Sequence, residues 1–259
     1  MTITIAGEPL IAYLLASIRI VAWLAVVPPF SSRAVPSMAK VVLSLGLAFA
    51  VTPGLSGDIP VSFWALAVNV VTQVLIGAGM GFVTYLLFQA VATAGSLIDV
   101  FGGFQLAQGF DPLGLTMNTV FGKFHQMLAT MLLFATGGHL LVIGGLLRTF
   151  HFLPVGTTPD VAQNHGARAT DILVTAMGMF FTTAVQIALP MIAVLFIADL
   201  GLALLTKVAP QLNAINVMFP AKIGLTLLLV GLSFPVLPEA MARLVDLANQ
   251  ATAAIAGAR

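Results

Sequence analysis

Cysteine is absent from this sequence, so disulfides and thiolate metal sites are excluded and the redox compartment leaves no mark on it. Charge is nearly as scarce. Asp, Glu, Lys and Arg make up 7% of the chain, against about 25% in a soluble domain. A net charge of +1 leaves no electrostatic footprint for nucleic acid, which is excluded as a partner. His125, His139, His151 and His165 are scattered without ligand spacing, so no metal site is read. No phosphate-cradling P-loop pattern occurs, so no cofactor is expected and any nucleotide energy must come from another protein. The N-terminus lacks a basic region before its apolar run, and its first charge is Glu8. That argues for an uncleaved first span rather than a cleaved signal peptide.

What is present is apolar surface, at 59% hydrophobic residues and a mean hydropathy of +1.08, which reads as an integral membrane protein. Three stretches are free of charge for longer than the about 18 residues a spanning helix needs: between Asp58 and Asp99, between Lys123 and Arg148, and between Asp171 and Asp199. Three further runs are shorter or interrupted: 9–30 with Arg19 inside, 41–57 ending at Pro53-Gly54, and 223–237 ending at Pro235 and Pro238. The expected fold is therefore an all-α membrane protein of about six long, partly broken hydrophobic helices. Residues 61–98 as one helix would reach about 57 Å, nearly twice the hydrocarbon thickness of about 30 Å. "IGAGMG" (76–81) offers a place to kink, or, on the plainer reading, a Gly77/Gly81 pair for close helix packing.

Arg19 lies too deep in its run to snorkel easily, and a lipid-facing Arg at a helix centre costs about 2.5–3.5 kcal/mol. It should face protein or water, with an ion pair or helix contact preferred over a pore-lining role. Charge bias gives orientation weakly. The short loop 31–40 carries Arg33 and Lys40 without an acid, which places it inside and both termini outside.

The segment "GGFQLAQGFDPLGLTMNTVFGKF" (102–124) fits neither lipid nor water. A lipid-facing span over 96–124 would carry Asp99, Asp111 and Lys123 at a cost of about 8–10 kcal/mol. Pro112 and the glycines favour irregular backbone, yet Phe101, Phe104, Leu106, Phe110, Leu113, Met117 and Phe121 give it a large apolar content. Such a segment must be buried in protein or line a cavity. Two readings fit: a hydrophobic constriction that gates a pore, or a loop tucked into a subunit interface. Asp99 with Asp111 in "GFDP" superficially suggests an intramembrane aspartyl protease, but Pro112 and the lack of a Tyr-Asp pair depart from that pattern.

A second interruption, "TKVAPQLNAINVMFPAKIG" (206–224), reads as the tip of a helical hairpin, because two prolines and three amides break any single long helix. Asp199, alone at the end of an uncharged run, is expected to pair with Lys207; a polar cavity is the alternative.

At these segments the sequence resembles the FliR family of flagellar biosynthesis proteins and its injectisome counterparts, the SctT proteins. The most specific pieces are AG-x-x-ID…GF…DP (94–112) and AP-Q-L-N…FP-x-K (209–222), with "FSSRAVPSMAKVVLSLGLAFAVTP" (30–53) similar to the family's first cytoplasmic turn and second helix. The similarity runs from about residue 10 to 240. Ala214-Ile215 and Val217-Met218 depart from the family's usual PQLNVFxxGFPLK, which leaves the loop contacts open.

The resemblance implies a single-copy pore subunit of the type III protein export gate at the flagellar basal body in the bacterial inner membrane, with FliP, FliQ and an FlhB-like subunit as partners. It also implies unfolded exported flagellar proteins as substrates, and no enzyme activity. Residues 1–168 would be FliP-like with an internal segment 102–124, and 169–259 a FliQ-like hairpin with its tip at 207–222. The central plug would fall on 106–122, with Phe101, Phe104, Leu106, Phe110, Asp111, Pro112, Leu113, Met117, Asn118 and Phe121 as its gate residues. The hairpin tip at the cytoplasmic entrance would hold Pro210, Gln211, Leu212, Asn213, Phe219, Pro220 and Lys222, and Arg19, Asp99 and Asp199 would be buried charges. The alternatives are an injectisome gate subunit or a self-contained transporter. A transporter should show matched interrupted helices in its two halves, and the interruptions at 102–122 and 207–222 match in neither length nor chemistry.

Overall fold

A computed structural model describes residues 7–54, 62–104, 119–156, 165–209 and 214–256. Among these every regular element is helical: α1 Gly7–Val26, α2 Ser37–Val51, α3 Phe63–Gly102, α4 Val120–Ala135, α5 Gly138–Phe152, α6 His165–Val208, α7 Ala214–Ser233 and α8 Leu237–Ile255. The protein is all-α. Five helical spans are long and apolar enough to cross a membrane, or six when α4 and α5 are taken as one broken span.

Proline and glycine set most of the boundaries. α1 stops just before Pro28-Pro29, and α2 starts directly after Pro36, where a missing N–H costs nothing. The uncharged run 124–147, expected as one helix, is split at Gly137, whose φ of +73° is readily reached only by a residue without a Cβ. α3 is continuous for 40 residues, straight through Gly77, Gly79 and Gly81. Gly77 and Gly81 serve packing. A Cβ on Gly77 would collide with the Arg19 carbonyl oxygen, and one on Gly81 would lie 3.2 Å from the Trp23 carbonyl oxygen. α6 runs 44 residues with Pro190 inside it. Pro220 lies inside α7, so the hairpin interruption is narrower than 206–224.

The chain forms two compact units that interleave along the sequence. The first takes the described residues of Met1–Leu87, Gly137–Met177 and Leu244–Arg259. Its core holds Ile20, Trp23 and Leu24 of α1, Met80 and Leu87 of α3, Leu146 and Phe150 of α5, and Leu244 and Ala248 of α8. On the part of α8 in this unit, the buried positions Leu244, Val245, Ala248 and Thr252 recur at three- and four-residue spacing, a single helical face. Nearer the start of α8, in the second unit, Arg243 and Glu239 make an exposed pair one turn apart.

The second unit comprises the described residues of Phe88–Thr136 and Gly178–Arg243. Ala94 and Ile98 of α3, Phe121 of α4, Ala188 and Met191 of α6 and Val230 of α7 make its core, with Leu97, Phe104 and Leu229 packed at its margin. The small residues Ala94 and Ala188 let the helices close on the larger Phe121 and Met191 side chains.

Candidate functional site: the stems of residues 105–118

Residues 105–118 lie outside the described residues, but both stems leading to them are described, and both depend on Asp99. At the end of α3, Gly103 has φ +81°. The Phe104 N–H donates to the Asp99 carbonyl at 3.1 Å and the Gly103 N–H to the Val100 carbonyl at 3.4 Å, a Schellman-type helix stop that only a left-handed residue closes without strain.

The Asp99 side chain serves the other stem. Its Oδ2 accepts the Phe121 N–H at 2.9 Å and the Gly122 N–H at 3.1 Å. These are free donors in the first turn of α4, which a side chain of the residue before the helix usually satisfies. Thr119 holds that position but makes no capping bond of its own. Its Oγ1 lies instead 2.8 Å from Ser96 Oγ on α3. Asp99 is buried, where a carboxylate is tolerated only with such hydrogen bonds, each worth about 1.5–3 kcal/mol. The positive end of the α4 dipole adds to the attraction.

Two glycines permit the approach. A Cβ on Gly95 would collide with the Phe121 carbonyl, and one on Gly122 with Thr119 Oγ1 and Ser96 Oγ. The Phe104 ring meets Phe121 edge-on, centroids 4.9 Å apart at 84°, an arrangement worth about 0.5–1.5 kcal/mol beyond its burial. His125 Nδ1 sits 2.9 Å from the Phe121 carbonyl oxygen.

Of the expected gate residues, Phe101 and Phe104 lie at the end of α3, and Phe121 lies in the first turn of α4 with its ring buried in the core of the second unit. Leu106, Phe110, Asp111, Pro112, Leu113, Met117 and Asn118 fall outside the described residues, as do Pro210, Gln211, Leu212 and Asn213. Phe219, Pro220 and Lys222 belong to α7.

Asp199 pairs with Lys222 rather than Lys207. Lys222 Nζ lies 2.8 Å from Oδ1 and 2.9 Å from Oδ2 of Asp199. Lys207 is eight residues further along the same helix, about 12 Å of rise away, whereas the hairpin brings α7 alongside. Arg19 has no acid among the described residues. Its Nε donates to Gln73 Oε1 at 2.6 Å, and its guanidinium carbon sits 4.2 Å from the centre of the Phe150 ring. Among the described residues, Arg19 thus meets neighbouring helices through a hydrogen bond and a ring contact rather than an ion pair. Both terminal nitrogens of Arg19 are buried without a hydrogen-bond partner among the described residues.

Residues 10–248 match the family model described as "Bacterial export proteins, family 1". The chain is 35% identical over 185 residues to the flagellar biosynthetic protein FliR of Escherichia coli (strain K12), covering 71% of this chain and 69% of that one. It is 32% identical over 222 residues to FliR of Pectobacterium carotovorum, covering 85% and 83%, and 31% identical over 196 residues to FliR of Aquifex aeolicus, covering 74% and 73%. The chain belongs to the FliR family. It is a membrane component of the flagellar export apparatus.

In this FliR-family chain, sequence reasoning passed over Ser96, Thr119, Gln73 and the capping role of Asp99. Asn69 and Gln73, amides one turn apart in an otherwise apolar run, were a legible sign of a buried polar contact. The Asp99 cap had no comparable sign, because its partners are backbone groups 22 and 23 residues away. Among the described residues no group of three or more His, Cys, Asp or Glu is placed to hold a metal ion.

Proposed function

We propose that this chain is the single-copy pore subunit of the flagellar type III protein export gate, building its channel with FliP and FliQ beside an FlhB-like subunit. In this reading it does no covalent chemistry. Residues 1–168 stand in for one FliP-like subunit and 169–259 for one FliQ-like hairpin, whose tip at 207–222 lies at the cytoplasmic entrance. Residues 106–122 supply the plug, with Leu106, Phe110, Pro112, Leu113 and Met117 as its apolar surface and Phe104 and Phe121 at its roots. The plug seals the channel when idle and yields to an unfolded flagellar substrate.

The observation that carries this reading is the composition of the segment itself: rich in Gly and carrying Pro112, which disfavour helix, strongly apolar, and lying in the sequence between helices of a membrane protein whose relatives are flagellar proteins. Backbone of that kind at membrane depth survives only in a protein-lined cavity, and apolar constrictions close pores by excluding water.

A photo-crosslinker at position 110, in cells producing the whole complex with an export substrate stalled in transit, tests it. The expected product is an adduct with the substrate. Adducts confined to other gate subunits would show a scaffold that never meets its cargo. Isolation of the chain in mild detergent tests the partners: co-purification with two other small membrane proteins is expected, and an active monomer would contradict the assembly.

A further inference from the structure

We propose that Asp99 is a positioning residue that keeps the two stems of the 105–118 segment joined while the export gate works. This rests on the plug reading above and deepens it: the two ends of the segment stay together throughout export, without withdrawal or unwinding of α4.

One residue serves both stems through separate atoms. The Asp99 carbonyl oxygen accepts the Phe104 N–H and closes α3, while its Oδ2 accepts the Phe121 and Gly122 N–H groups and opens α4. Separating the stems would strip the first turn of α4 of its cap and leave a buried carboxylate without those donors, a double loss in surroundings where no water replaces them. The hydroxyls of Ser96 and Thr119 join the stems a second time, at 2.8 Å. Gly95 and Gly122 bring the backbones too close for any intervening side chain, and the Phe104–Phe121 contact closes the apolar side. Bonds to backbone N–H groups hold the register whatever side chains the segment between carries. The clamp therefore acts on the position of that segment rather than on its surface.

The absence of cysteine from the native chain makes a clean test available. Ser96→Cys with Thr119→Cys puts two thiols where the hydroxyls meet, close enough for a disulfide. In cells producing the whole gate, oxidation is expected to crosslink the pair in the resting gate. Export of filament protein is then expected to proceed in oxidised cells as in reduced ones. Failure of the crosslink to form would overturn the proposal, as would loss of export on oxidation with recovery on reduction, because the stems would then have to part.

Asp99→Ala carries the second arm. In gates that still assemble, it is expected to produce an idle ion leak approaching that of a gate lacking 106–117. Asp99→Asn, which keeps an acceptor oxygen, is expected to restore the seal. The same is expected when the Ser96→Cys and Thr119→Cys pair is placed in the Asp99→Ala chain and oxidised. A leak that neither Asn nor the crosslink reduces would overturn the positioning role. If removing 106–117 itself causes no leak, the plug reading fails, and the crosslink-and-export arm still judges the clamp.

Discussion

Replacing Gly95 by Ala adds one methyl group at the closest approach of α3 to α4. The new Cβ would lie 2.6 Å from the Phe121 carbonyl carbon and 2.9 Å from the Gly122 Cα, and closer still to the Phe121 carbonyl oxygen. All three atoms are backbone, so no side-chain rotation relieves the clash, and the start of α4 must retreat by about 0.8 Å or more to reach ordinary contact. From 2.9 and 3.1 Å, the two Asp99 bonds then stretch beyond hydrogen-bonding range. Losing them at about 1.5–3 kcal/mol each outweighs the about 1 kcal/mol that Ala gains over Gly in a helix. The net cost is at least about 2 kcal/mol, a shift of about 4–8 °C in the melting of a chain this size. Gly79→Ala, on the same helix with nothing within 4 Å of its Cβ, is the control and should be neutral or slightly stabilising. The assay is the thermal midpoint of the assembled complex in detergent, read beside the swimming of cells carrying each variant. If Gly95→Ala melts and swims like Gly79→Ala, the contact between α3 and α4 is not as described, and the reasoning built on it fails.

Further substitutions follow from the half-buried Asp199–Lys222 pair, in which Asp199 is not the buried charge expected of it, and from the buried Arg19. Lys222→Ala should destabilise by about 1–3 kcal/mol, between the small value of exposed pairs and the larger one of buried pairs. Asp199→Ala with Lys222→Ala should then cost clearly less than the sum of the single changes, and an additive double-mutant cycle would show the 2.8 Å pair to be without consequence. Arg19 sits among apolar groups with one hydrogen bond, so Arg19→Met with Gln73→Leu should preserve assembly and export, since apolar replacement of a buried polar pair is often neutral or stabilising. Loss of export from a correctly assembled double variant would assign Arg19 a transport role.

The helical class and the approximate spans are legible in the sequence because charges are so few that each one marks a boundary. Asp58, Asp99, Lys123, Arg148, Asp171 and Asp199 bracket the long runs almost by themselves. Where charge is silent the reading loses resolution. Nothing charged interrupts 124–147, so the break at Gly137 waits on a backbone angle. Gly77 and Gly81 look alike as hinge or packing surface until Arg19 and Trp23 are seen against them. The partner of Asp199 lies across a hairpin, while sequence proximity pointed along the helix to Lys207. Asp99 illustrates the same limit more sharply. Its cost in lipid marked it as buried, but its role depends on two backbone N–H groups delivered by a helix that begins about twenty residues later.

The central claim is that the apolar segment closes a channel, and ion leakage through the idle gate tests it most directly. Cells producing the complete complex, with 106–117 replaced by a short Gly-Ser linker so that Thr119 and the Asp99 cap are kept, should admit ions or small molecules well above the level of cells with the native chain. A leak indistinguishable from native, in a complex shown to be assembled, would contradict the plug.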